Sequence, residues 1–184
     1  MDGTLTVPAI DFAEMRRRLG IHRGDILTTV RAWPAERQRA AFATIEEIEE
    51  RARLDLAVQP GARELLAHLD SRGIHKGIIT RNTMRAVRHL VDRLGVSFSP
   101  VVTRDFLPVK PDPAPVAHIC AAWRVEPGHV LMVGDYRDDI LCGKAGGTRT
   151  CLLKNDRNAE FVGLADFDVE SLHELLDVVA SLSA

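Results

Sequence analysis

Cysteine, an excess of charge of either sign and long apolar runs are all scarce in this 184-residue sequence. The three cysteines, Cys120, Cys142 and Cys151, are odd in number, widely spaced and contain no C-x-x-C pair, so neither a disulfide framework nor a cysteine zinc site is indicated. Reduced, packed thiols are expected. Seven histidines include no H-E-x-x-H and no pair at ligand spacing within one predicted helix. Lys and Arg number 24 against 26 Asp and Glu, a formal charge of −2, so no positive field exists to hold nucleic acid or an anionic membrane. No apolar run approaches the roughly 20 residues that cross a bilayer, and the start, Met1-Asp-Gly-Thr-Leu-Thr6, lacks a basic segment followed by an apolar one. A cytoplasmic location is expected, with an organelle left open. What is present, 46% hydrophobic and 27% charged residues, matches an ordinary folded chain of one domain and a modest appendage.

Two styles of sequence meet near Pro60-Gly61. From Asp11 to Ala57 the chain is charged and helical, with Phe12, Met15 and Leu19 on one face and Ala41, Ile45, Ile48 and Ala52 at three- and four-residue steps. Pro34 suits the first turn of a long helix reaching about Leu56. After Pro60, strands and helices alternate: a helix over 61–71, a strand over 74–80, a helix from Asn82 to Leu94, and a short strand over 100–103. A helix over 113–123, a strand over 129–134, a helix over 138–145, a strand over 149–153, a strand at Phe167 and Val169, and a helix over 170–182 complete the chain. That alternation predicts an α/β fold, a Rossmann-like parallel sheet with helices on both faces, with residues 1–10 and 58–184 in the core and 11–57 as an all-helical insert. Sites in such sheets lie outside the carboxyl ends of the strands.

The strand-end rule selects Asp2-Gly3-Thr4, Thr80 after two isoleucines, Lys110 in Val-Lys-Pro-Asp-Pro, and Asp135 after Leu-Met-Val-Gly, with Asp139 one helical turn on. Carboxylates take a hard cation through oxygen, Lys supplies a point charge for phosphate oxygens, and a Thr hydroxyl adds a donor. Taken singly, each has a plainer reading: Asp135 and Asp139 as first-turn acids, Lys110 as a solvated charge, Thr80 as a β-branched strand end, Asn82 as a helix cap, and Asp138 as the cap of its helix. Phe12, Met15 and Trp33 read as packing within the insert, and Arg16-Arg17-Arg18 as a solvated face.

Together, these segments resemble the four motifs of the haloacid dehalogenase superfamily, in its magnesium-dependent phosphatase branch. Met1-Asp-Gly-Thr-Leu-Thr6 is similar to the end of D-x-D-G-T, Thr80 to the second motif, Lys110 before Pro111 to the third, and Gly134-Asp-Tyr-Arg-Asp-Asp139 to G-D-x-x-x-D. They fall in the family's order, and the insert sits where the family places a small cap. The resemblance implies Asp2 as general acid and base with its carbonyl as a metal ligand, Thr80 and Lys110 as holders of the phosphoryl group, and Asp135 and Asp139 as Mg²⁺ ligands. Arg81 and Asn82 are added as contacts to a small phosphorylated metabolite.

The family's nucleophilic Asp stands two residues before the acid matched by Asp2, a position that precedes Met1. The nucleophile and the central strand bearing it are therefore expected from an upstream segment; a substitute filling the gap and a marginal truncated form are the other readings. A missing strand leaves a gap of roughly 5 Å in the ladder. Its unpaired groups cost about 1–3 kcal/mol each if buried, against a total stability of about 5–15 kcal/mol. Three functions stay open: a Mg²⁺-dependent phosphomonoesterase working through an aspartyl-phosphate, a phosphomutase, and a catalytically inactive protein that binds a phosphate ligand or a partner. Dehalogenation needs neither a metal pair nor the acid at Asp2 and is disfavoured. No residue pattern selects the ester or an oligomeric state.

Overall fold

A computed structural model describes residues 1–182. The chain divides into two compact units, one of Asp2 and Pro8–Ala57, the other of Met1, Gly3–Val7 and the chain from Val58 onward.

The first unit holds three helices, α1 (Phe12–Leu19), α2 (Ile26–Arg31) and α3 (Ala35–Leu54). Two begin at side-chain caps, the Asp11 carboxylate accepting the Glu14 N–H at 2.8 Å and Asp25 accepting the Thr28 N–H at 2.8 Å, while α3 follows Pro34, which makes no side-chain cap. Met15, Leu19, Ile26, Val30, Ala41, Ile45 and Ile48 form its core, with Trp33 packed against it. Phe12 departs from expectation, being 53% exposed: Met15 and Leu19, four residues apart, already fill the buried stripe of α1. Of the basic run, Arg18 pairs with Glu47 at 2.7 Å and Arg16 donates to the Gly24 carbonyl at 2.8 Å, so the run serves local surface structure.

The second unit is α/β, with strands β1 (Ile78–Ile79), β2 (Val101–Val102), β3 (Leu131–Gly134), β4 (Arg149–Leu153) and β5 (Phe167–Val169). Its helices are α4 (Ala62–Ser71), α5 (Met84–Leu94), α6 (Ala114–Trp123), α7 (Arg137–Ala145) and α8 (Glu174–Leu182). Every pairing between strands is parallel: β1 with β2, and β3 with β4 with β5. Alternation along the strands assigns the two faces. Leu131, Val133, Cys151, Leu153 and Val169 pack with Ala62 and Leu65 of α4 and Leu175 of α8. Val130 and Met132 turn the other way, onto Val116 and Cys120 of α6 and Cys142 of α7, while Leu152 meets Ile140. Helices thus cover both faces, as continuous apolar strands require.

The parallel strands form two sheets, β1–β2 and β3–β4–β5, in keeping with the expected gap in the ladder. Ile79 packs with Val130 and Met132, yet among the described residues no backbone hydrogen bond joins β1 to β3. Residues 1–6 do not supply a strand there, because the Met1 carbonyl accepts the N–H groups of Thr4, Leu5 and Thr6 in a tight turn. The predicted 74–80 strand shortens to two residues, although its parallel bonding begins earlier, with the Ser99 N–H on the Lys76 carbonyl at 2.8 Å. The last helix starts at Glu174 because Glu170 is held in the preceding turn, its N–H donating to the Glu174 carboxylate at 2.8 Å. No helix among the described residues is long and apolar enough to cross a membrane.

All three cysteines are buried and free. Burial pushes the Cys142 thiol up to about 11 and the Cys151 thiol up to about 12. At about pH 8, where an unperturbed thiol reacts readily, a disulfide reagent is expected to label none of the three within minutes in the folded chain and all three in guanidinium; fast labelling of the folded chain would contradict this packing.

Candidate active site

The carboxyl ends of β1 and β3 turn toward one set of polar groups. Thr80 follows β1; its N–H donates to the Val102 carbonyl at 2.9 Å, and its hydroxyl accepts the Asn82 N–H at 3.1 Å, which turns the chain toward α5. Because α5 begins at Met84, Thr83 rather than Asn82 holds the cap position, its hydroxyl accepting the Ala86 N–H at 3.2 Å. Lys110 is buried, and its ammonium donates to the Ile79 carbonyl at 3.3 Å and to the Asp139 carboxylate. Thr80, Arg81, Thr103 and Lys110 line one narrow cleft.

At the end of β3, Gly134 is required by space: a Cβ there would lie 2.2 Å from the Asp139 Cβ. The absent side chain lets α7 approach, so that the Asp139 carboxylate can accept the Tyr136 N–H at 3.1 Å and cap its own helix while it pairs with Lys110. Asp138, expected to be the cap, is instead engaged by Arg81, whose guanidinium also donates to the Lys110 carbonyl at 3.0 Å. Two ion pairs, Lys110 with Asp139 and Arg81 with Asp138, therefore join the loop after β1, the Lys110 loop and the start of α7.

Asp135 carries a different environment. Its carboxylate accepts the Thr4 hydroxyl at 2.8 Å, and Gly3, at φ +79°, passes so close that a Cβ would lie 2.1 Å from Asp135 Oδ2. Burial, reinforced by the charge of Asp139, raises the Asp135 carboxyl above its usual range despite the opposing charge of the amino terminus, the Thr4 bond and the Lys110 ammonium. For Asp139 burial pulls the same way, but the Lys110 ammonium and the two hydrogen bonds outweigh it and hold the carboxyl below its usual range. One acid is thus fixed as an anion, while at its neighbour burial outweighs the positive charges nearby.

Of the residues singled out by sequence, Thr80, Arg81 and Lys110 share the cleft, and Asp139 is joined to Lys110. Asn82 contributes through its backbone, its carbonyl accepting the Arg104 N–H at 3.2 Å. Asp2 falls in the helical unit, where its carboxylate accepts the Ala9 N–H at 3.4 Å. Thr4 and Asn158 were not foreseen as site residues. Thr4 was visible only as part of D-G-T, and Asn158, whose amide donates to the Asp135 carbonyl at 2.8 Å, had no signal beyond an Asn in a polar turn after a strand. Among the described residues no group of three or more His, Cys, Asp or Glu side chains stands ready around a metal position. The two carboxylates supply hard oxygen donors, and a divalent cation would favour the ionised form of Asp135 that burial opposes.

The raised Asp135 carboxyl fixes a sign. Its folded form holds a proton more tightly than the unfolded chain, so its ionisation costs stability once the pH rises above the ordinary Asp range, and the full cost applies above the folded value. In the absence of metal, Asp135→Asn, which keeps an acceptor for Thr4, is expected to raise the melting temperature at pH 7, with the gain shrinking as the pH falls into and below the ordinary Asp range; a lowered melting temperature at pH 7 would contradict the assignment.

The haloacid dehalogenase-like hydrolase family matches residues 1–147. A haloacid dehalogenase-like hydrolase domain-containing protein of Arabidopsis thaliana is 42% identical over 94% of this chain and 74% of its own length. A phosphoglycolate phosphatase of Chromobacterium violaceum is 30% identical over 97% of this chain and 93% of its own. The crystal structure of a hydrolase from Pseudomonas syringae, 21% identical, shares the fold with a TM-score of 0.77 over 98% of this chain and 95% of that one. With motif residues at the strand ends, helices on both faces of parallel sheets and relatives matched over nearly the whole sequence, the chain belongs to the haloacid dehalogenase-like hydrolases.

Proposed function

We propose that the protein hydrolyses a small phosphate monoester with the help of Mg²⁺, through an aspartyl-phosphate formed on an Asp that an upstream segment supplies two residues before Asp2. The observation that carries this reading is the buried Lys110 ammonium, held between Asp139 and the carbonyl beside Thr80. A lysine fixed in this way presents a point charge to non-bridging phosphate oxygens, and the Thr80 hydroxyl adds a donor. Asp135 and Asp139 would hold the cation, which offsets charge on the phosphoryl group when bound.

The roles then follow. The upstream carboxylate attacks phosphorus in line, the ester P–O bond breaks, and Asp2 gives its proton to the departing alkoxide. Asp2 next takes a proton from water, whose oxygen attacks the aspartyl-phosphate to release inorganic phosphate and restore the carboxylate. Arg81 restrains Lys110 through its backbone carbonyl and balances Asp138, so its part is to hold the cleft in shape. Asn82 fixes the turn that orients the Thr80 hydroxyl. The protein acts on a small metabolite, in the cytoplasm, and needs no nucleic acid or membrane.

A form extended at its N-terminus to include the upstream Asp is expected to release inorganic phosphate from phosphoglycolate or a comparable small ester only when Mg²⁺ is present. Asp135→Asn should lower that rate about 100-fold or more. Phosphate transferred to a second sugar hydroxyl rather than to water would establish the mutase reading. Tight ester binding with no turnover in the extended form would establish the non-catalytic one.

A further inference from the structure

Beyond the ends of β3 and β4 lies a turn, residues 155–158, that none of the motif residues belongs to. Asn158 closes it and is buried, 2% exposed. Its side-chain oxygen accepts the Asn155 N–H at 2.8 Å, which locks the turn upon itself. Its side-chain NH₂ donates to the Leu153 carbonyl at 2.9 Å and to the Asp135 carbonyl at 2.8 Å, two strand-end acceptors from neighbouring strands. The Asp135 carbonyl shares a peptide unit with the Tyr136 N–H, and that N–H donates to the Asp139 carboxylate at 3.1 Å. One peptide plane is therefore gripped from both sides, its C=O by Asn158 and its N–H by Asp139, and Asp139 is held in turn by Lys110.

We infer that Asn158 is a positioning residue of the site: by fixing the Asp135–Tyr136 peptide, it sets the direction of the Asp135 carboxylate and aims the N–H that holds Asp139. This rests on the reading that Asp135 and Asp139 are the working acid pair. The chemistry suits an asparagine. A peptide plane rotates about the bonds that flank it, and a bond at one end alone leaves that rotation open; bonds at both ends close it. Asn offers two donors and an acceptor on one short planar group, and all three roles are used here. A carboxylate in the same place would set oxygen against two carbonyl oxygens, and an alanine would leave those carbonyls unpaired in a buried position. Groups of this kind, one bond removed from the acids that act, control how well those acids hold a cation.

Two measurements on the full chain test this, and neither depends on turnover. In Asn158→Ala, hydrogen exchange followed by NMR is expected to speed up about tenfold or more at the Tyr136 amide while the core amides of Cys151 and Leu152 keep their protection. Calorimetric titration with Mg²⁺ should show affinity weakened about 10–100-fold. Asn158→Asp, which keeps the size and the acceptor for Asn155 but loses both donations, should give the same two changes. Exchange at Tyr136 that stays unchanged, or that rises only in step with Cys151 and Leu152, overturns the inference, as does failure of both variants to fold, since either result assigns Asn158 to the fold as a whole. Unchanged Mg²⁺ affinity in both variants overturns it while leaving the metal reading intact. A wild-type chain that binds no Mg²⁺, with the local loosening at Tyr136 still seen, supports the positioning role and removes the metal reading alone.

Discussion

The polar end of this molecule depends on one buried ion pair, Lys110 with Asp139. Taking both charges out of water carries a desolvation cost that attraction alone need not repay. Here each partner is satisfied further: Lys110 donates to the Ile79 carbonyl, and Asp139 accepts the Tyr136 N–H. The pair consequently joins β1, the Lys110 loop and the start of α7. It also imposes a constraint on β3, whose last residue must lack a side chain for Asp139 to reach its place, and Gly134 meets it.

A functional division follows from that pair. Two carboxylates one helical turn apart would, in equal surroundings, repel each other and share a titration. Lysine settles the matter by pairing with one of them, so Asp139 is held as an anion while Asp135, bonded by the Thr4 hydroxyl, bears the larger share of the cost of burial. Environments that push two like groups apart in acidity are how a site assigns distinct roles to them. The second pair, Arg81 with Asp138, works through geometry, since Arg81 also grips the Lys110 carbonyl. Asn158 performs a comparable service for the Asp135 carbonyl from the opposite side of the strand ends.

Much of this was legible in the sequence because it is local or periodic. Residues 149–153 form the strand that their apolar run indicates, and α3 begins after Pro34, where a fixed φ favours a helix start. Thr80, Lys110 and Asp139 could be paired in advance because strand ends of an α/β fold converge. What escaped notice was decided by contacts between distant residues. Phe12 fits the helical period yet stays in water, because neighbours four residues apart fill the available core. Asn82 and Asp138 have the chemistry of caps, but α5 starts two residues after Asn82 and the Asp138 carboxylate is taken by Arg81, so the Thr83 and Asp139 side chains cap instead. The break between β1 and β3 agrees with the gap in the ladder that the motif match led one to expect, and residues 1–6, folded in a turn, do not fill it. Asn158 was invisible for the plainest reason: its two acceptors lie 5 and 23 residues away and meet it only in the folded chain.

The central claim, that Lys110 and Asp139 stabilise each other inside the fold, is tested most directly by a double-mutant cycle in denaturant with Lys110→Met, Asp139→Asn and the combination. Each single change strands a buried partner, so the double variant should lose less than the two singles added together, with a coupling of about 0.5–3 kcal/mol. Strictly additive losses would contradict the account.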